Sequence, residues 1–226
     1  MAESGSSTKG TSGASSGTSP RTPRPRLSAA ERSEQALAAA RRLILAGGIE
    51  AASVRNVAAE AGMATGSLRH IFPSHESLFI ALMNDSAARA ATRIQEVFAR
   101  ELAAGTPLRD TFLAVLREIL PLDDVSRTDF IVQLALMTGH PGSAPIREAV
   151  AFAGEQLDQL CASTVVKLRP DLEPNRDATA ELVTDLRVAL DGIALRCLEN
   201  PAYASDAGSR GAEATLARAL DRVAEA

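Results

Sequence analysis

Tryptophan is absent, tyrosine occurs once, and aromatic residues make up only 3% of the 226 residues. Aliphatic side chains must therefore fill most of any core. The two cysteines, Cys161 and Cys197, lie far apart and form no C-x-x-C pair. They read as buried, reduced core thiols. No apolar run approaches the ~18 residues needed to span a bilayer, and no hydrophobic signal region follows Met1, which makes the cytoplasm the expected compartment. No stretch alternates with period two for long enough to propose a sheet, and no internal repeat is visible.

Catalytic patterns are missing as well. The three histidines, His70, His75 and His140, lack the Glu-x-x-His pairing that a di-metal helical bundle requires. Neither G-x-S-x-G, H-E-x-x-H nor a glycine-rich phosphate loop occurs. The expectation is a non-enzyme without metal or cofactor.

What is present is helix-forming. Hydrophobic residues account for 46% and charged residues for 23%, and Ala, Leu, Arg and Glu are abundant. An all-α fold follows as the expected class. The net charge of −4 is unevenly spread. Residues 1–26 carry Lys9, Arg21, Arg24 and Arg26 against Glu3 alone. Residues 27–83 balance five Arg against five Glu, which leaves 15 basic and 22 acidic residues in 84–226. The first 26 residues are rich in Ser, Gly, Thr and Pro and cannot bury enough surface to offset chain entropy. They read as a disordered arm, either a solvated tail or a basic strand that follows DNA phosphates.

From Leu27 the pattern becomes helical. Ser28 and Glu31 form a capping box, Leu37, Ala40, Ile44 and Leu45 share a face, and Gly47-Gly48 is the stop. A second helix starts at Ser53, whose hydroxyl can accept from the Asn56 amide, and ends at Gly62. A third runs from about Thr65 to Ile71, and Pro73-Ser74 opens a fourth from about His75 to the low 100s. Further helices follow: "TPLRDTFLAVLREIL", capped by Thr106 with Leu108, Phe112, Val115 and Ile119 inward, and the nearly apolar "RTDFIVQLALMTG", expected to be deeply buried. Beyond them come "APIREAVAFAGEQLDQLCASTVVKL", the linker "RPDLEPN", "RDATAELVTDLRVALDGIALRCLEN", and a last helix from about Ala207 to Val223.

Two short helices joined by a tight glycine turn are the helix-turn-helix unit that sets its second helix in the major groove. Val57, Ala61, Met63, Leu68 and Ile71 form its small core. Thr65, Gly66, Ser67, Arg69 and His70 are left free, small or hydrogen-bonding groups suited to base edges and phosphates.

The segment "GGIEAASVRNVAAEAGMATGSLRHIFPSHESLFIALM" resembles the tetracycline-repressor (TetR) family of bacterial regulators almost position by position. The likeness is close over residues 30–83. The remainder is similar mainly in helix number and order, with "ALDGIAL" before a Pro as a further echo. This resemblance implies a DNA-binding domain over 27–75 and an effector-binding and dimerisation domain over 76–226. It also implies contacts from Ser53 and Arg55 near the start of the second helix. Arg69 stands where many members carry a phosphate-touching Tyr, His75 where most carry Lys, and Ala64 where a capping Ser or Thr is common. Arg69 and His75 can still donate to phosphate, His75 with charge only when protonated.

The expected function is that of a homodimeric regulator, a repressor that reads a palindromic operator in double-stranded DNA and is released by a small molecule. A helical protein-binding module that has lost DNA binding is the alternative. In "ELVTDLRVALDGIALRCL", Leu182, Leu186, Ala189, Ile193 and Cys197 form one apolar row and Val183, Leu190, Ala194 and Leu198 a second. One row would face the chain and the other a second copy, with the dimer interface expected around Leu186, Leu190, Ile193 and Ala194. Gly192 reads as a close-packing position. Gln133, a lone uncharged polar group in an apolar run, marks the expected effector pocket, with Phe112, Met137 and Phe152 as walls. A small, neutral, hydrophobic effector is expected there.

Overall fold

The computed structural model describes residues 28–139, 142–172 and 176–225. The proposed basic arm over residues 1–26 and His140 lie outside them. Ten α-helices make up the fold among the described residues. They are α1 (Ala29–Gly47), α2 (Val54–Glu60), α3 (Thr65–Ile71), α4 (His75–Ala103) and α5 (Leu108–Arg117). There follow α6 (Asp124–Gly139), α7 (Ala144–Leu168), α8 (Arg176–Glu199), α9 (Pro201–Ser205) and α10 (Ala212–Glu225). No strand occurs among these residues, so the all-α class stands. No described helix is long and apolar enough to cross a membrane.

The first four helices begin and end where their caps dictate. Ser28 accepts from the Glu31 amide at 3.1 Å while Glu31 accepts from the Ser28 amide at 2.7 Å, closing the capping box. These hydrogen bonds hold the Glu31 carboxyl below its ordinary pKa. Gly48 takes φ 75° and returns its amide to the Ile44 carbonyl, which ends α1. Ser53 caps α2 by accepting from the Asn56 amide at 3.2 Å, an arrangement worth about 1 kcal/mol. Ser74 and Ser77 form the reciprocal cap of α4.

Two apolar clusters organise the packing. The first joins α1–α3 and the start of α4, through Ala36, Ile44, Val57, Leu68, Phe72 and Phe79, to Val132 and Leu136 of α6 and Ile146 of α7. The second lies among α5, α7, α8, α9 and α10 and includes Phe112, Leu116, Val165, Leu186, Leu190 and Leu216. The N-terminal helices are therefore seated directly on α6 and α7. Cys161 and Cys197 belong to the second cluster. Burial pushes the Cys161 thiol up to about 12 and raises that of Cys197, which leaves both poor nucleophiles.

Three expectations about helices need correction. Thr106 does not cap α5: its hydroxyl donates to Glu101 at 3.0 Å, and Pro107 occupies the cap position. The run on α6 is not deeply buried throughout, because only one side packs on α1 and α4. Val132 and Leu136 are buried there, whereas Met137 is 53% exposed. The last helix starts at Ala212 rather than Ala207. Asn200 caps the separate short α9, and a non-helical turn follows it.

Candidate nucleic-acid interface and ligand cavity

The turn between α2 and α3 is tight because of backbone geometry that few residues tolerate. Gly62 sits at φ 64°, and the Met63 amide returns to the Ala58 carbonyl at 2.8 Å. Ala58 and Ala61 are buried and lack bulk, which lets the two helices approach, and Val57 and Leu68 close the space between them. Gln35 of α1 donates to the Ala61 carbonyl at 2.9 Å and pins the turn to the longer helix. Asn56 donates from its side chain to the Ala51 carbonyl at 3.0 Å and steadies the entry.

This frame leaves one face open. Arg55, Thr65, Gly66, Ser67, Arg69 and His70 are all exposed. Leu68, between them in sequence, is fully buried and fixes which side of α3 looks outward. The Ser53 hydroxyl is committed as an acceptor in its cap but keeps its own proton to donate. Arg42, by contrast, is held to Glu60 at 2.7 Å and is not a free cation.

His75 is placed differently from the expectation. Its Nε2 donates to the Ala52 carbonyl at 3.0 Å, and its ring lies 4.1 Å from that of Phe79. Half-buried there, it fastens the start of α4 to the approach to α2 rather than presenting a donor outward. His75→Phe keeps the ring contact and loses the hydrogen bond. It should lower stability by about 0.5–1.5 kcal/mol in a denaturant melt, with DNA affinity nearly unchanged.

A second feature lies deeper in the chain. A cavity of about 930 Å³ opens among α4, α6, α7, α8 and the turn after α5. Gln133 and Phe152 line it. Phe112 does not: it is buried in the second cluster, its ring 6.0 Å from that of Phe98. Met137 does not either, because it points away to the surface. Phe152, 55% exposed, stands at the edge. Small residues of α4 and α7, among them Ala87, Ala91, Ala149 and Ala153, make the room. Nor is the lining neutral. Arg93, Glu118, Asp129, Glu148 and Asp191 also face the space, most of them from helices other than α6.

The apolar rows of α8 are also corrected. Leu186, Leu190, Ile193 and Ala194 are 1%, 2%, 3% and 4% exposed, all within the second cluster of their own chain. At about 100° per residue the two rows sit side by side as one broad face, not back to back. The free stripe is the opposite one, where Val188 is 64% and Leu195 44% exposed. Gly192 belongs to that stripe, and a Cβ added there would meet nothing within 4 Å, so none of the described helices packs closely on it.

Comparison with known proteins agrees with this architecture. Residues 36–82 match the family described as bacterial regulatory proteins, tetR family. The HTH-type transcriptional regulator PksA of Bacillus subtilis (strain 168) is 27% identical over 183 residues, 76% of this chain and 80% of its own length. A transcriptional regulator from Rhodococcus sp. Rha1 superposes with a TM-score of 0.70 at 20% identity, over 85% of this chain and 96% of that one. A protein of Saccharomonospora viridis, described as a transcriptional regulator and solved with choline, superposes with a TM-score of 0.66. It is 22% identical over 87% of this chain and 96% of its own. A glycine-hinged helix pair with an open polar face, seated on a larger helical body, thus carries over residues 36–82 the N-terminal domain pattern of the tetR family of bacterial regulatory proteins.

Proposed function

We propose that the chain is a repressor that binds a palindromic operator as a homodimer and leaves it when a small molecule enters the cavity between α4 and α8. The observation that carries this reading is the separation of three features on one body. The polar face of α3 is outward, the apolar stripe of α8 is exposed among the described residues, and a cavity is lined from α4, α6, α7 and α8.

Each supports one part. Thr65, Ser67, Arg69 and His70 offer donors and acceptors at spacing suited to a groove, with Gly66 allowing close approach, and Arg55 adds a cation on α2. Val188 and Leu195 give α8 an apolar surface that a two-fold mate would cover. The cavity is large enough for a drug-sized molecule, and the choline complex of a fold neighbour supports a small ligand in such a body. Residues 27–75 are assigned to DNA and 76–226 to dimerisation and the effector, with the start of α4 packed into the first cluster.

Selection of binding duplexes from a random-sequence pool tests the reading. An inverted repeat should emerge, its half-sites about one helical turn apart, bound with an affinity that falls steeply with salt. Failure to enrich any sequence, with no salt-dependent binding to the pool, would favour the protein-binding alternative.

A further inference from the structure

The cavity and the DNA-binding helices share a carboxylate. Asp129 of α6 lines the cavity together with Ser86 of α4. From its other side Asp129 is held by arginines that do not line the cavity. Arg89 donates to Oδ1 at 2.9 Å and to Oδ2 at 3.2 Å. Arg41 of α1 brings its Nε within 3.5 Å of Oδ1. The Ser86 hydroxyl lies 2.5 Å from the same Oδ1. Arg41 also pairs with Asp85 and donates to the Ser86 hydroxyl at 3.3 Å. The cluster thus ties α1, three residues before its last buried core position at Ile44, to the wall of the cavity.

The cluster is crowded and incompletely satisfied. Oδ1 faces three donors, and the Arg41 contact is the longest of them. The Nε atoms of both Arg41 and Arg89 are buried without a hydrogen bond, although each lies near a carboxylate. A buried donor without a bond is costly, so such a node exchanges partners readily. Of the other lining carboxylates, Asp191 is paired with Arg187 at 3.0 Å. The cavity's one arginine, Arg93, is already paired with Glu118 at 3.2 Å, while Glu148 stands exposed at the edge.

We propose that Asp129 is a shared acceptor. A ligand with an apolar body and an ammonium or similar cationic donor takes Oδ1 from the cavity side and displaces Arg41. The hold of α6 on α1 is thereby released. The inference rests on the effector reading of the cavity and adds to it the class of ligand and the route to α1. It corrects the neutral effector expected from α6 alone, because the charged lining comes largely from the neighbouring helices. The ligand acts only through its unequal affinity for the two arrangements of Arg41.

Octylamine, protonated at neutral pH, and 1-octanol form a matched pair of probes that differ in charge. Calorimetry on the full chain should show octylamine binding about tenfold or more tightly than octanol, with Asp129→Asn removing that preference. Octylamine should also weaken binding to a duplex selected by the wild-type protein, by roughly 5- to 150-fold. In Arg41→Lys, which keeps the charge but not the guanidinium fork, octylamine should still bind while its effect on DNA affinity shrinks toward unity. Should Asp129→Asn fail to fold, Ser86→Ala frees one site on Oδ1 and should raise octylamine affinity severalfold with octanol unchanged. Equal binding of the two probes, or an undiminished effect in Arg41→Lys, would overturn the proposal. Binding of neither probe would instead remove the effector reading of the cavity, and the proposal with it.

Discussion

Replacing Leu195 and Val188 together by Glu should give a folded monomer that no longer holds a palindromic duplex, whereas Leu190→Asp on the same helix should fail to fold. The two outcomes differ because the faces differ. Leu190 is 2% exposed in a cluster with Leu186, Ile193 and Leu216. A carboxylate there enters an apolar cluster, so burial costs several kcal/mol, a large share of a domain's stability. Val188 and Leu195 touch water in the single chain and lose little on becoming polar. In the proposed dimer they would be desolvated, and four carboxylates facing one another would prevent association. The affinity gained by binding two half-sites at once would vanish, a loss of roughly 10²–10⁴-fold. Sedimentation, melting and duplex binding measured on both proteins check this. A dimer that survives the double substitution would move the interface off this stripe of α8.

Leu68→Ala is the second large effect. Leu68 is fully buried and sets the rotation of α3 about its axis, with Val57, Ala58 and Phe72 in the same cluster. Removing its branched end leaves a cavity in a unit with few large side chains, at a cost of about 2–5 kcal/mol. DNA affinity should fall with it, because Arg69 and Ser67 are aimed only through the packing of the residue between them. Chemical denaturation followed beside duplex binding should show both losses together. Stability preserved in Leu68→Ala would mean that α3 is held by something other than this contact.

The N-terminal helices were legible in the sequence because short-range chemistry sets their ends. Ser28, Gly48, Ser53, Gly62 and Ser74 each act within a few residues of themselves, and each does in the fold what its residue type favours. The outward face of α3 was legible for the same reason, since one buried Leu fixes the rest. His75 was not, because its partner is the carbonyl of Ala52, 23 residues earlier. Nothing local marks that contact.

The C-terminal helices were harder to read, since their faces depend on which helices meet. A broad apolar face on α8 and two opposed ones look alike when residues recur at spacings of three and four. Val188 and Leu195 are few and scattered, which hides the free stripe beside the richer buried one. On α6, Gln133 lines the cavity. Phe112 was misjudged because an aromatic residue on a neighbouring helix is as readily core as wall. The charged lining from α4, the turn after α5, α7 and α8 is invisible until those elements are brought around one space.

The claim on which the account turns is that the exposed side of α3 reads DNA. Arg69→Ala and Thr65→Ala, alone and combined, measured by anisotropy on a selected duplex with melting recorded in parallel, test it most directly. Each single change should weaken binding by about 1–3 kcal/mol, and the melting temperature should hold, because neither side chain is buried. Wild-type affinity in the double variant, or a loss of binding that merely tracks a loss of stability, would contradict it.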